Sequence, residues 1–350
     1  MNIHKWRPHK LIATKWLLKL APAGLNNTDI NTRTAWYSKA VDESIGSGGE
    51  SGFDNAQDDD ASWGGSTIEF PMIQGADVVG HIVAVGKNVD SSRVGERVMI
   101  DPWVLNHVEW QNDNLQTIES ARYFGSEING GFAEYTKVRA SNAINVNSPL
   151  SDAELATFPC AYTTAANMLQ KTNPQAGETV VISGASGGVG SAALQLCLLS
   201  NCKVIAIASA SKADSLIQLG ASKVIDRQED DLENAILDAS SGLIDIALDV
   251  VGASMFMPLI NSLRQGGRYS SCGCIGGSMT EIDLRRLVYK DLQLTGATIC
   301  PPGTMQNVVN AIEGGDIKPL LAKTLPLSEL VQAQTLFMEK SHLGNIVVTP

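Results

Sequence analysis

The chain has 350 residues, 44% hydrophobic and 5% aromatic, and its 26 Lys and Arg against 37 Asp and Glu leave a net charge of −11. That length predicts two domains, and an acidic surface disfavours nucleic acid and anionic membranes as partners. No stretch approaches the ~18 apolar residues of a membrane span, the opening residues lack a signal-peptide core, and the six cysteines show no C-x-x-C spacing, so a soluble, cytoplasmic protein with reduced thiols is expected.

Residues 15–20 read as a strand, followed by a turn at Ala21-Pro22-Ala23-Gly24 and a polar segment over 26–37. Residues 42–66 carry Asp42, Glu43, Glu50, Asp54, Asp58, Asp59 and Asp60 with no Lys or Arg. Lacking the fixed spacing of a calcium loop, they are expected to form a solvated surface loop. From 70 to 100 the pattern turns to β, with Gly75, Gly80, Gly86 and Gly95 as corners, which suggests a small barrel. A polar excursion over 101–125 precedes a further strand at 131–138.

Helical periodicity begins near Ala153, and strands are predicted at 179–183, 203–208, 222–226, 244–249, 267–272 and 292–298, with helices between most of them. That alternation predicts a doubly wound parallel α/β sheet. Two helical patterns and a strand over 345–348 close the chain.

The first of those strands runs into Gly184-Ala185-Ser186-Gly187-Gly188-Val189-Gly190, and a helical pattern follows. A glycine turn between strand and helix seats a pyrophosphate, because helix N-terminal N–H groups point at the phosphates and absent Cβ atoms allow close approach. The same residues also match G-x-S-x-G, so a serine hydrolase using Ser186, with His342 downstream, is a competing reading.

Five landmarks in order resemble the medium-chain dehydrogenase/reductase superfamily over nearly the whole chain. They are Gly24-Leu25-Asn26-Asn27-Thr28-Asp29 with Arg33 and Tyr37; Gly75-Ala76-Asp77-Val78-Val79-Gly80 with Val85-Gly86 and Gly95-Glu96-Arg97-Val98; Gly130-Gly131-Phe132-Ala133-Glu134-Tyr135; Phe158-Pro159-Cys160-Ala161-Tyr162-Thr163-Thr164-Ala165; and the glycine loop. The resemblance implies a GroES-like β-barrel catalytic domain from 1–150 and 300–350, and a Rossmann dinucleotide-binding domain over 151–299. It also implies a hairpin before residue 15, where only fourteen residues stand, so the start departs from the family pattern and is expected to be truncated or altered.

Zinc enzymes of this superfamily hold catalytic zinc with a Cys, a His-Glu pair and a later Cys; the matching positions here are Asn26, Ala76-Asp77 and Cys160. One thiolate does not make a tetrahedral zinc site, and no cysteine lies in 101–125, where the structural zinc lobe would sit. The resemblance therefore narrows to the zinc-free, quinone-oxidoreductase-like branch, whose members pass a hydride from reduced nicotinamide to a quinone or enone. It implies Asn26 as amide donor to the substrate carbonyl, Asp29 beside it and Tyr37 as proton donor or lid. A turn-stabilising role for Asn26 and a cap role for Asp29 remain open.

No carboxylate follows the second predicted strand of the parallel sheet; Ser209, Ser211 and Lys212 stand there, and Arg227 closes the third. Hydroxyls and cations suit a 2′-phosphate, which favours NADPH over NADH. Thr164, Val250, Gly252 and Cys274 are implied as further cofactor contacts. Residues 291–299 resemble the edge strand through which such enzymes pair into homodimers. A non-catalytic NADPH-binding role is the remaining alternative.

Overall fold

The computed structural model describes residues 15–48, 52–57, 60–62, 69–105 and 121–350. The chain start, Glu50, Asp58 and Asp59 of the acidic segment, and most of the polar excursion lie outside the described residues. The chain forms two compact units: Met1–Val41, Gly48–Cys160 and Pro301–Pro350 make the first, and Asp42–Ser47 with Ala161–Cys300 the second.

The first unit contains β1 (Lys15–Gly24), β2 (Asp77–Val85), β3 (Arg97–Ile100), β4 (Trp103–Val104), β5 (Arg122–Tyr123), β6 (Tyr135–Arg139) and β7 (Ala143–Asn145). Strand β1 pairs antiparallel with both β2 and β6, and β2 continues the sheet through β3 to β7. It runs past the expected turn: Pro22 supplies no N–H, the register shifts between Leu20 and Ala23, and the ladder resumes at Ala23 opposite Val78. Leu18, Leu20, Val78, Ile82, Val98, Ile100, Phe124 and Val138 fill the interior of this sheet. The short helix Asp152–Leu155 packs on β1 and β2 with Leu155 fully buried, which places residues 151–160 with this unit.

The second unit contains β8 (Thr179–Ile182), β9 (Lys203–Ala208), β10 (Lys223–Asp226), β11 (Ile244–Asp249), β12 (Leu263–Ser271) and β13 (Gln293–Gly296). These form one six-stranded sheet in the order β10-β9-β8-β11-β12-β13, every pair parallel. That is the doubly wound arrangement, and its order reverses between β8 and β11. Such strands are buried on both faces and read as continuous apolar runs; Val181, Ile205, Ile207, Ile244, Ala247, Leu259 and Leu263 form their shared core.

The acidic segment is not simply a solvated loop. Ile45 is buried, its N–H donates to the Ile275 carbonyl at 3.1 Å, and the Ser278 N–H reaches the Asp42 carbonyl at 3.3 Å, which ties Asp42–Ser47 to the second unit. Two strands, β14 (Leu321–Pro326) and β15 (Asn345–Thr349), complete the first unit; β15 pairs antiparallel with the end of β1 and parallel with β14.

Candidate functional site

In the second unit the glycine loop leaves β8 at the point where strand order reverses. The helix Gly188–Leu199 starts directly from it, with Gly187 as N-cap in extended conformation. Gly184 sits at φ +58°, where a side chain would also strike the Val250 methyl at 2.6 Å. A Cβ on Gly190 would collide with the Gly184 carbonyl oxygen and lie 2.7 Å from the Ala185 Cα, so this residue lets the helix pack against the strand end. The Ala185 N–H donates to the Ile207 carbonyl at 3.1 Å, which locks the loop to β9, while Ser186 and Val189 are half-buried beside it.

The loops after the neighbouring strands close around the same edge of the sheet. Gly252, at φ +71°, follows β11, and a Cβ there would lie 2.9 Å from that of Cys274, which follows β12. Asp249, fully buried at the end of β11, organises this corner. Its carboxylate accepts from Ser183 Oγ at 2.5 Å, from Tyr269 Oη at 2.8 Å, and from the N–H groups of Val251 and Gly252 at 2.9 and 3.1 Å. The sequence marks Asp249 as the end of this strand, beside the expected cofactor contacts, and not as a strut; a carboxylate closing Ile246-Ala247-Leu248 was the signal, since a buried charge must be met by donors. Burial pushes the Cys272 thiol up to about 12 and that of Cys274 upward, which disfavours the thiolate at both.

At the end of β9, Ser209 and Ser211 share a hydrogen bond at 3.1 Å and Lys212 is half-buried. Burial lowers the Lys212 pKa, and the Arg227 charge lowers it further. Arg227, exposed at the end of β10, donates its N–H to the Ala208 carbonyl at 2.8 Å. The two cations, Lys212 and Arg227, thus interact where β9 and β10 end, a setting suited to a phosphate dianion rather than a ribose diol. Thr164 is half-buried on the helix Pro159–Thr172. With a helix N-terminus, a cradle that Cβ atoms would fill and paired cations, these residues fit a dinucleotide.

In the first unit Asn26 is the N-cap of the helix Asn27–Thr34. Its backbone N–H donates to Asp29 Oδ2 at 2.8 Å, and its side-chain Nδ2 donates to Asp77 Oδ2 at 2.8 Å. Asp29 also accepts from the Gly75 N–H at 3.1 Å, so both of its oxygens hold backbone groups and the carboxylate ties the helix to the start of β2. Asp77 Oδ1 accepts from the Cys160 N–H at 2.5 Å, and Tyr123 Oη donates to Cys160 Sγ at 3.1 Å. Asn26, Asp29, Asp77 and Cys160 are all buried, and burial pushes both carboxyls up to about 7.

The positions at which related enzymes hold catalytic zinc therefore do come together, but around a carboxylate. Ala76 offers no donor atom, the Asn26 amide nitrogen is committed to Asp77, and a single thiol remains. Among the described residues no group of three His, Cys, Asp or Glu is placed to hold a metal ion. This donor set does not fit tetrahedral zinc.

Tyr37 lies beyond the helix end, half-buried, with its ring edge-on to Trp36 at 5.7 Å. Two further residues escaped the sequence reading as site groups. Asp77 is one; a carboxylate inside the apolar run Ala76-Asp77-Val78-Val79 was its signal. Thr28 is the other: its Oγ1 is buried without a hydrogen-bond partner, two residues from Asn26. As for the hydrolase reading, Ser186 lies in the second unit, and the described histidines, His81 and His342, lie in the first. Among the described residues, no helix is long and apolar enough to cross a membrane.

Two family models match the chain: the alcohol dehydrogenase GroES-like domain over 13–148 and the zinc-binding dehydrogenase domain over 188–314. The acryloyl-coenzyme A reductase of Metallosphaera sedula is 26% identical over 286 residues, covering 81% of this chain and 84% of that protein. An alcohol dehydrogenase of Geobacillus stearothermophilus is 28% identical over 287 residues, covering 80% and 83%. The crystal structure of a candidate alcohol dehydrogenase from Sinorhizobium meliloti 1021 superposes with a TM-score of 0.85 at 38% identity, covering 98% of this chain and 90% of that one.

Proposed function

The chain belongs to the medium-chain dehydrogenase/reductase superfamily of nicotinamide-dependent oxidoreductases, and from that premise we propose that it is a zinc-free, NADPH-dependent reductase of conjugated carbonyl compounds, enones or quinones. The observation that carries this reading is the Asn26–Asp77–Cys160 cluster: at positions matching zinc ligands in this superfamily stands an amide held by a buried carboxylate. Reduced nicotinamide, when bound, supplies a hydride to the substrate carbon, and the protein's task is to orient the acceptor and stabilise charge growing on its oxygen. An Asn26 N–H donates to that oxygen. A proton then completes reduction of the double bond, and the Thr28 hydroxyl and Tyr37 are the candidate donors. The naming of a related protein as an acryloyl-coenzyme A reductase supports reduction of a carbonyl-conjugated alkene as the reaction class.

Ser209, Ser211, Lys212 and Arg227 select the 2′-phosphate, and the loop Gly184–Gly190 with Val250, Gly252, Cys274 and Thr164 holds the remainder of the cofactor. The exposed edge strand β13 pairs two copies into a homodimer.

Lys212→Ala tests the cofactor assignment. Loss of one charge-assisted phosphate contact lowers the NADPH-over-NADH preference in kcat/KM about tenfold, corresponding to about 1.4 kcal/mol. An unchanged ratio overturns the assignment. Metal analysis of active enzyme tests the zinc-free reading: stoichiometric zinc whose removal abolishes activity would overturn it.

A further inference from the structure

We infer that Asp77 is a positioning residue whose carboxylate sets the direction of the Asn26 amide by binding Asn26 Nδ2 through one oxygen and the Cys160 N–H through the other. The inference rests on the proposed contact between Asn26 and substrate, and adds what makes that contact directional.

The two ends of an Asn side chain are nearly the same size, and packing alone discriminates poorly between them. Above pH 7, where Asp77 is ionised, hydrogen bonding does discriminate, because a carboxylate only accepts. Asp77 Oδ2 at 2.8 Å therefore faces the NH2 end of Asn26; turning the amide over would set two oxygens against each other in a buried site. On the helix side, the Asp29 N–H donates to the Asn26 backbone carbonyl at 3.2 Å, so the helix start does not compete with Asp77 for the amide nitrogen. With one amide hydrogen on Asp77, a single side-chain N–H is left to donate.

Asp77 is itself fixed in place. It is the first residue of β2, paired with Gly24 at the end of β1, and fully buried. A Cβ on Gly24 would lie 2.9 Å from Asp77 Oδ2, so the missing side chain there makes room for the carboxylate. Its second oxygen is held by Cys160, 83 residues further along the chain, which leaves the group no freedom to rotate away from Asn26. A carboxylate is an expensive group to bury in an apolar strand, and here both of its oxygens are used on this one arrangement.

Asp77→Asn keeps the shape but offers one accepting oxygen for two donors, so Asn26 loses its fixed orientation. The expected result is a drop in kcat of about 10- to 100-fold with a conjugated enone, while the Kd for NADPH, read by fluorescence quenching, stays within about twofold. The deciding measurement is a double-mutant cycle with Asn26→Ala. If Asp77 acts through Asn26, Asp77→Asn costs nothing further in kcat once Asn26 is removed; additive losses overturn the inference. Should Asn26→Ala alone leave kcat unchanged, the proposed contact of Asn26 with substrate fails and the inference falls with it, a result distinct from additivity. Should Asp77→Asn not fold, the intact enzyme still decides. One side-chain N–H of Asn26, assigned by its absence in Asn26→Ala, exchanges slowly with solvent if it is bound to Asp77, and rapid exchange of both overturns the inference.

Discussion

At the residue scale the unusual feature is a pair of fully buried carboxyls, Asp29 and Asp77, in a chain whose surface is already acidic. Burial raises both to about 7, and Asp29 additionally feels the charge of Asp77. An acid whose pKa is higher folded than unfolded binds its proton more tightly in the native state. Its contribution to stability is therefore fully present below the unfolded value near 4 and is lost as pH rises through 7. Between pH 5 and 8 each such group costs about 3 kcal/mol of stability, at about 1.4 kcal/mol per pH unit over the part of the range below 7. The expected outcome is a denaturant midpoint that falls over this range, with a slope flattened in Asp29→Asn; equal slopes would show that Asp29 is ionised throughout. The glycine loop and the absence of zinc ligands were plain in single residue identities. The burial of Asp29 was not, because its neighbours Asn27 and Thr28 are polar, and Asp77 is marked only by the apolar residues around it.

At the scale of elements, the loop between β8 and the helix Gly188–Leu199 depends on Gly190. A methyl there meets the Gly184 carbonyl oxygen and the Ala185 Cα at 2.7 Å, both backbone groups that cannot swing aside. Gly190→Ala is expected to cost about 1–3 kcal/mol of stability, the usual range for overpacking, and to weaken dinucleotide binding because the loop must shift. Thermal melting and cofactor titration check both, and a native melting temperature would show that the loop tolerates the methyl.

Strand β9 was legible because Val204–Ala208 is an uninterrupted apolar run, and β11 because Ile246, Ala247 and Leu248 continue one past Asp245. The start of β12 was not: Leu263 is followed by Arg264, Gln265 and Gly266, which mimic a loop. Folded, Arg264 binds Asp245 at 2.5 Å, and Arg268 binds Glu178, so polar residues at this strand's amino end serve an ion network rather than a turn. Likewise Pro22 read as the end of β1, whereas the ladder absorbs it in a register shift and resumes.

At the scale of the whole molecule, the edge of the parallel sheet carries the remaining prediction. Leu294 on β13 is 37% exposed, and Val288 and Tyr289 on the helix before it are 63% and 74% exposed, an apolar strip beside unpaired strand backbone. If two copies pair through this edge, Leu294→Lys places like charges across the join and the protein elutes as a monomer in light-scattering chromatography, with its melting temperature dependent on concentration before the change and independent after it. An unaltered mass would place the interface elsewhere.

The sequence by itself determined the class of both units and the location of the glycine loop between strand and helix, because strand and helix periods and glycine turns are local properties. Only the tertiary structure decided which polar groups meet. Asp77 finds Asn26 from 51 residues away and Cys160 from 83, and Gly252 lies against Cys274 only because β11 and β12 are neighbours in the sheet. A buried donor or acceptor must be satisfied, but its own neighbours in the chain do not say by whom; strand order and register make that choice.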